Sequence, residues 1–277
     1  MPALRFSANV SWLFPEISDV PGRIRAAARA GFRAVEVAWP YDCQPGEVRA
    51  ALAEERLQLV LLNTPPGDTQ AGELGLAAVP GRQDGFRTGL EQAVKWAVDL
   101  GCKRIHLMAG RVPAGLERES AEKEMEETFV ENLRYAADIL NEAGLVGLIE
   151  PINCRITDPR YFLNTPQHAA EILGKVGKDN LKMQMDLFHW QIMDGNLTQN
   201  INKYFPLIGH VQIAQVPHRH EPDSPGELNF PYLFHLLEEL GYQGFVGCEY
   251  KPLGDTVAGL GWMEAYQKSC KDEGKPN

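Results

Sequence analysis

The sequence predicts a closed (β/α)8 barrel. Short apolar runs alternate with amphipathic helix patterns from end to end, and eight such runs can be counted. The βα unit recurs about every 35 residues in a chain of 277, near the ~250 usual for such barrels. No Ser/Gly-rich linker or low-complexity stretch divides the chain, so residues 1–277 read as a single domain. A doubly wound open sheet is the competing architecture. Against it, no glycine-rich phosphate-binding loop follows any of the candidate strands.

The candidate strands are residues 4–9, 34–38, 59–63, 104–108, 146–150, 181–186, 208–213 and 245–249. Between them, Phe86, Leu90, Ala93, Val94, Ala97 and Leu100 place an apolar stripe on one helical face, as do Met125, Phe129, Leu133, Ala136 and Leu140. Helices stop where glycine follows the pattern, at Leu100-Gly101, Ala143-Gly144 and Leu240-Gly241.

Charge narrows the partners. Lys and Arg number 27 against 37 Asp and Glu, a net charge of −10, which repels phosphodiester backbones and anionic lipid surfaces. Apolar runs such as residues 57–62 are far shorter than the ~20 residues that cross a bilayer. The first residues lack an apolar segment followed by a small-residue cleavage site. The expectation is a cytoplasmic protein with no nucleic-acid or membrane partner, either monomeric or a homo-oligomer. Cys43, Cys102, Cys154, Cys248 and Cys270 are scattered and form no C-x-x-C pair, so neither disulfides nor a thiolate metal site is expected. His218-Arg219-His220 sits in a polar, Pro-flanked loop and reads as solvated.

The informative residues stand at the strand ends. Successive side chains of a strand face opposite sides. Leu181, Met183 and Met185 suit the layer beneath the helices, which turns Gln184 and Asp186 inward. The same parity puts Glu150 with Val146 and Leu148, Gln212 with His210, and Glu249 with Gly247 and Phe245. Four consecutive strands, the fifth to the eighth, thus finish on an oxygen-bearing side chain at the carboxyl-terminal mouth, where barrel active sites lie. Three converging carboxylates repel one another and resist desolvation, so the set calls for a cation. With Gln212 offering its carbonyl, all four ligand atoms are oxygens, which suits Mg²⁺ or Mn²⁺. The alternative for each residue alone is a helix cap or a rim salt bridge.

Glu150-Pro151-Ile152-Asn153, Gln184-Met185-Asp186-Leu187-Phe188-His189-Trp190-Gln191, Gly209-His210-Val211-Gln212-Ile213-Ala214 and Gly247-Cys248-Glu249-Tyr250 resemble the hydroxypyruvate isomerases, of the xylose-isomerase-like TIM barrel superfamily. Residues 5–14, 63–68 and 226–231 extend the resemblance over essentially the whole chain, most closely to the animal proteins. The resemblance implies interconversion of hydroxypyruvate and 2-hydroxy-3-oxopropanoate (tartronate semialdehyde), with Glu150 and Glu249 as proton donor and acceptor. It also implies a divalent metal held by Glu150, Asp186, Gln212 and Glu249. Many sugar epimerase relatives carry histidine where this chain has Gln212. Glutamine agrees with the hydroxypyruvate isomerase branch and leaves open a branch acting on four-carbon 2-oxo sugar acids.

The residues themselves fit an aldose–ketose proton shuttle, in which a cation polarises the substrate carbonyl and a positioned carboxylate moves the proton. The substrate carboxylate needs a donor, and Arg219 and Lys251 are the candidates, unless they pair with Glu221, Asp223 or Asp255. His189, three residues beyond Asp186, is placed to hydrogen-bond a substrate oxygen or to pack as a wall. Two rivals remain. Endonuclease IV-like phosphodiesterases share the barrel but gather several metals, extra histidines and a basic groove, whereas this chain is acidic. A non-catalytic binding barrel would have no need of both glutamates.

Overall fold

The computed structural model describes residues 3–273. Eight parallel strands close in sequential order, and the last returns to the first through Arg5↔Phe245 to Ala8↔Cys248. They are β1 (Arg5–Asn9), β2 (Ala34–Val37), β3 (Gln58–Asn63), β4 (Arg104–His106), β5 (Val146–Ile149), β6 (Leu181–Asp186), β7 (Ile208–Ile213) and β8 (Phe245–Cys248). The helices outside are α1 (Val20–Arg29), α2 (Pro45–Glu55), α3 (Gln83–Leu100), α4 (Arg118–Glu142), α5 (Pro166–Val176), α6 (Leu187–Met193), α7 (Leu197–Tyr204), α8 (Phe230–Glu239) and α9 (Gly261–Glu273). None of the described helices is long and apolar enough to cross a membrane. The described cysteines are all free.

β6 and β7 run over the residues that periodicity assigned to them. β4, by contrast, ends at His106, because the Met108 amide leaves the ladder to donate to Thr64 Oγ1 at 3.2 Å. β5 and β8 stop one residue short of Glu150 and Glu249, so both carboxylates stand just past the last paired residue. β6 feeds directly into α6, and Asp186 serves as its cap, accepting from the Phe188 amide at 2.8 Å. The amphipathic stripes on α3 and α4 bury Phe86, Leu90, Phe129 and Leu133 against the outward faces of the strands.

Alternation is obeyed on both faces. Met183, Met185, Val211, Ile213 and Val246 lie in the apolar layer under the helices. The barrel interior is polar instead: Ser7, Asn9, Glu36, His106, Gln184, His210 and Gln212 are all buried. Pairing of Gln184 with His210, Asp186 with Gln212, and Gln212 with Gly247 stacks these residues in register.

Gly247 supplies the space that this filling needs. A Cβ there would lie 2.1 Å from Glu36 Oε1, inside any permitted contact. Gly247→Ala is therefore expected to destabilise the barrel by about 1–3 kcal/mol through overpacking. The check is a lower urea midpoint with an unchanged slope.

Candidate active site

Glu150 is buried beyond the end of β5, and three groups face its carboxylate. Gln184 Nε2 donates to Oε2 at 3.0 Å, His106 Nδ1 lies 3.4 Å from Oε2, and His189 Nε2 lies 3.7 Å from Oε1. Asp186 at the end of β6 is fully buried, with His189 Nε2 at 3.5 Å and Arg219 Nη2 donating at 3.1 Å. Glu249, beyond β8, accepts from Trp12 Nε1 at 3.1 Å and from the same Arg219 Nη2 at 3.0 Å.

Two of these carboxyl groups bond one partly buried guanidinium and the third feels its charge, and their proton affinities record the shortage. Burial pushes the Glu150 carboxyl well above the ordinary range, with the charges of Glu249 and Asp186 adding to it and Arg219 opposing. Burial likewise raises Glu249 to about 8 and raises Asp186, in both cases against the pull of Arg219.

Arg219 lies in the loop after β7, with its guanidinium between two aromatic rings, 4.5 Å from Trp12 and 4.9 Å from Phe188. It pairs with Asp186 and Glu249, not with Glu221, whose carboxylate instead accepts from the Leu253 amide at 3.0 Å. Lys251 comes to the site through its backbone: its amide donates to the Arg219 carbonyl at 2.7 Å, while the residue is exposed.

The proton on His189 can be placed by its neighbours. Asn153 Oδ1 accepts from the amides of Ile156 and Thr157, so Nδ2 is the donating end, and it meets His189 Nδ1 at 2.7 Å. Nδ1 is thereby an acceptor, and the ring proton sits on Nε2, facing Glu150 and Asp186. Burial, with the charge of Arg219, keeps the imidazole neutral by holding its pKa well below the usual value. Burial also lowers His106 to about 3.

Gln212 closes the set from β7. Its Nε2 donates to Glu36 Oε2 at 2.8 Å, and its Oε1 accepts from Gln184 Nε2 at 2.6 Å. Carboxylate oxygens of Glu150 and Asp186 lie within 4.8 Å of each other and of a His189 ring nitrogen; with its proton on Nε2, the imidazole lines this space as a donor and the carboxylates are the ligand candidates. A buried, oxygen-rich set carrying more negative than positive charge is one that a divalent cation fits. Sequence parity brought Glu150, Asp186, Gln212 and Glu249 to one mouth, but it missed Trp12, Glu36 and Asn153. A lone glutamate in the otherwise apolar Ala34-Val35-Glu36-Val37 was the available signal for Glu36. Trp12 and Asn153 lie in loops, where periodicity is silent.

A family model described as a xylose isomerase-like TIM barrel matches residues 24–266. The chain belongs to the xylose isomerase-like TIM barrel family. Among its relatives, a Xenopus laevis protein named "Putative hydroxypyruvate isomerase" is 74% identical over 98% of this chain and 99% of its own length. Bacterial members carry two names: "Hydroxypyruvate isomerase" from Escherichia coli is 45% identical, covering 95% of this chain and 100% of its own. "2-oxo-tetronate isomerase" from Cupriavidus necator is 46% identical over 95% and 98%. A Brucella melitensis crystal structure, titled as an AP endonuclease of family 2, superposes with a TM-score of 0.89 at 47% identity, covering 96% of this chain and 99% of that one.

The raised Glu249 carboxyl makes stability depend on pH in a defined direction. Folded Glu249 keeps its proton up to about pH 8, whereas the ordinary value is 4.5. Between these values the folded state binds more protons than the unfolded state, so stability is lost as pH rises through that window. In chelator-treated protein, Glu249→Gln should therefore gain stability relative to the native sequence from pH 4.5 to 8. Urea midpoints measure this, and a difference that stays constant with pH would refute it.

Proposed function

We propose that the chain is a hydroxypyruvate isomerase, interconverting hydroxypyruvate and 2-hydroxy-3-oxopropanoate by glutamate-mediated proton transfer. The observation that carries this reading is the pair Glu150 and Glu249. These are two carboxyl groups in one mouth, Glu150 buried and Glu249 partly so, both raised above the ordinary range in the protein without a cation. Two carboxyl groups facing one space can take a proton on one side of a bound substrate and return one on the other. The names of the relatives support the substrate.

Glu150, Asp186, Gln212 through its carbonyl, and Glu249 would hold a divalent cation, and their hard oxygen donors suit Mg²⁺ or Mn²⁺. Such an ion, when bound, would supply Lewis-acid polarisation of the substrate carbonyl. In the forward direction one glutamate takes a proton from C3 of hydroxypyruvate, and the other gives one to C2. The hydroxyl proton moves from O3 to O2, leaving an aldehyde at C3 and a hydroxyl at C2. His189 Nε2–H is placed to donate to a substrate oxygen and, being neutral, does so without adding charge. Arg219 offers a planar fork for the substrate carboxylate, held by stacking against Trp12 and Phe188. This role falls to Arg219 over Lys251, which is exposed.

Both Glu150→Gln and Glu249→Gln should lower isomerisation by at least ~10²-fold, the smaller end of what positioned acid–base catalysis supplies. The variant that keeps the base facing C3 should still exchange a C3 proton of hydroxypyruvate with deuterated solvent, which NMR detects. Native turnover in both variants would overturn the two-glutamate mechanism. A higher kcat/KM for a four-carbon 2-oxo acid than for hydroxypyruvate would instead move the assignment to the second branch named among the relatives.

Arg219→Gln should raise KM for hydroxypyruvate by roughly 10-fold or more, as expected for losing a charge-assisted bond worth ~1.5–3 kcal/mol. Steady-state kinetics with hydroxypyruvate and with an uncharged ketol measure it. An equal rise for both compounds would remove Arg219 from the carboxylate.

A further inference from the structure

Glu36 lies below the active-site mouth and takes no part in the chemistry described so far. Its side chain crosses the barrel interior from β2, and its carboxylate gathers four donors. Ser7 Oγ and His210 Nε2 meet Oε1 at 2.7 and 2.8 Å, while Gln212 Nε2 and Asn9 Nδ2 meet Oε2 at 2.8 and 3.4 Å. Gly247 on β8 leaves the room this carboxylate occupies. Burial acts to raise the Glu36 carboxyl, but the charge and hydrogen bond of His210, with those from Ser7 and Gln212, bring it below the ordinary range. With four donors turned to its two oxygens, Glu36 is set as a buried acceptor.

That restriction decides which way Gln212 points. An amide has a donating end and an accepting end, and against an ionised carboxylate only the NH₂ end is tolerated. A flipped amide would set its carbonyl oxygen against Glu36 Oε2 and leave two acceptors facing each other in a buried site. The carbonyl oxygen of Gln212 is therefore turned away from Glu36. It accepts from Gln184 Nε2, the same nitrogen that donates to Glu150 Oε2. A carbonyl oxygen has two lone pairs, so this bond leaves one for a cation.

We propose that Glu36 is a positioning residue acting through Gln212: it locks the amide so that its carbonyl oxygen faces the Glu150 side, as an oxygen ligand for the divalent cation. This rests on the metal reading given above. The bonds from Asn9 and His210 keep the Glu36 carboxylate in place even when the Ser7 donor is removed. Groups of this kind, one step behind a ligand, commonly account for 10–100-fold in metal affinity.

The test is a double-mutant cycle on Mn²⁺ affinity, read as free Mn²⁺ by electron paramagnetic resonance, in the native protein, Glu36→Gln, Gln212→Ala and the double variant. Glutamine at 36 keeps the volume but can donate or accept, so it no longer dictates the Gln212 orientation. Glu36→Gln should weaken Mn²⁺ binding roughly 10–100-fold. In the Gln212→Ala background the same change should have little further effect, because the group through which Glu36 acts is gone. Ser7→Ala removes a donor to Glu36 without freeing Gln212 and should bind Mn²⁺ like the native protein. An equal loss on both backgrounds, or an equal loss in Ser7→Ala, would mean a general packing effect and overturn the proposal. Unchanged affinity in Glu36→Gln would overturn it as well. If Glu36→Gln does not fold, Glu36→Asp, which keeps the charge but withdraws it by one methylene, enters the same cycle under the same criteria. A native protein that binds no Mn²⁺ would fail earlier and overturn the metal reading itself, an outcome distinct from failure at Glu36.

Discussion

The structure depends on where buried negative charge is compensated and where it is not. Four carboxyl groups, Glu36, Glu150, Asp186 and Glu249, lie in or at the mouth of one narrow barrel. Removing carboxylates from water costs several kcal/mol each unless donors replace the lost hydration. Glu36 receives that replacement in full and is held below the ordinary carboxyl range despite its burial. The other three share Arg219 and the neutral imidazoles of His106 and His189, and all are shifted upward. The barrel therefore has a settled lower layer and an unsettled upper one. The proposed cation and proton chemistry draws on the unsettled layer, since a site with no spare charge has nothing to exchange.

The loops after β7 and β8 serve to hold the guanidinium of that layer. Arg219 adopts a left-handed backbone with φ 59, a conformation that costs a non-glycine residue of order 1 kcal/mol. Its amide donates to the Gln215 carbonyl at 2.8 Å and its carbonyl accepts from Lys251, so the loops after β7 and β8 are tied together through this residue. Glu221 strengthens the tie by accepting from Leu253. Gln215, buried in the same loop, donates to the carbonyls of Pro222 and Leu228 at 3.1 and 3.0 Å. With Trp12 and Phe188 stacked on either side, the guanidinium is placed by backbone and ring contacts, not by its carboxylate partners alone. It can stay in position when those partners turn to a cation or a substrate.

The fold was legible because its rules are local. Alternation within strands such as Leu181–Asp186, and helix stripes such as that of Gln83–Leu100, are set by a few neighbours, and the structure follows both. The ends of β5 and β8 were overestimated by one residue, at the positions where a glutamate leaves the sheet for the mouth. In the site, parity alone assembled the strand-end oxygens. It could not find Trp12, which reaches Glu249 across 237 positions of chain, or the pairing of Glu36 with Gln212 across 176. Such contacts are created by closing the barrel, and no window of sequence contains them. Arg219 was visible as a candidate, but its partners were not, since nearby acids in the sequence compete with distant ones that closure brings near.

Closure also explains why a glutamine suits position 212. Its neighbours in space are a carboxylate below and a mouth crowded with carboxyls above. An acid there would face Glu36 directly and add to the uncompensated charge. A hydrocarbon would leave Glu36 one donor short and Gln184 one acceptor short. The amide meets both demands at once, giving protons to Glu36 and accepting from Gln184, with a lone pair left toward the proposed cation site. The same division runs through Asn153, which accepts from two backbone amides on one side and, on the other, leaves His189 with its proton turned toward the carboxyls. In both cases a neutral side chain converts a fixed contact behind it into a defined polarity in front. The mouth can thus be strongly polarised with Arg219 as the base paired to its acids.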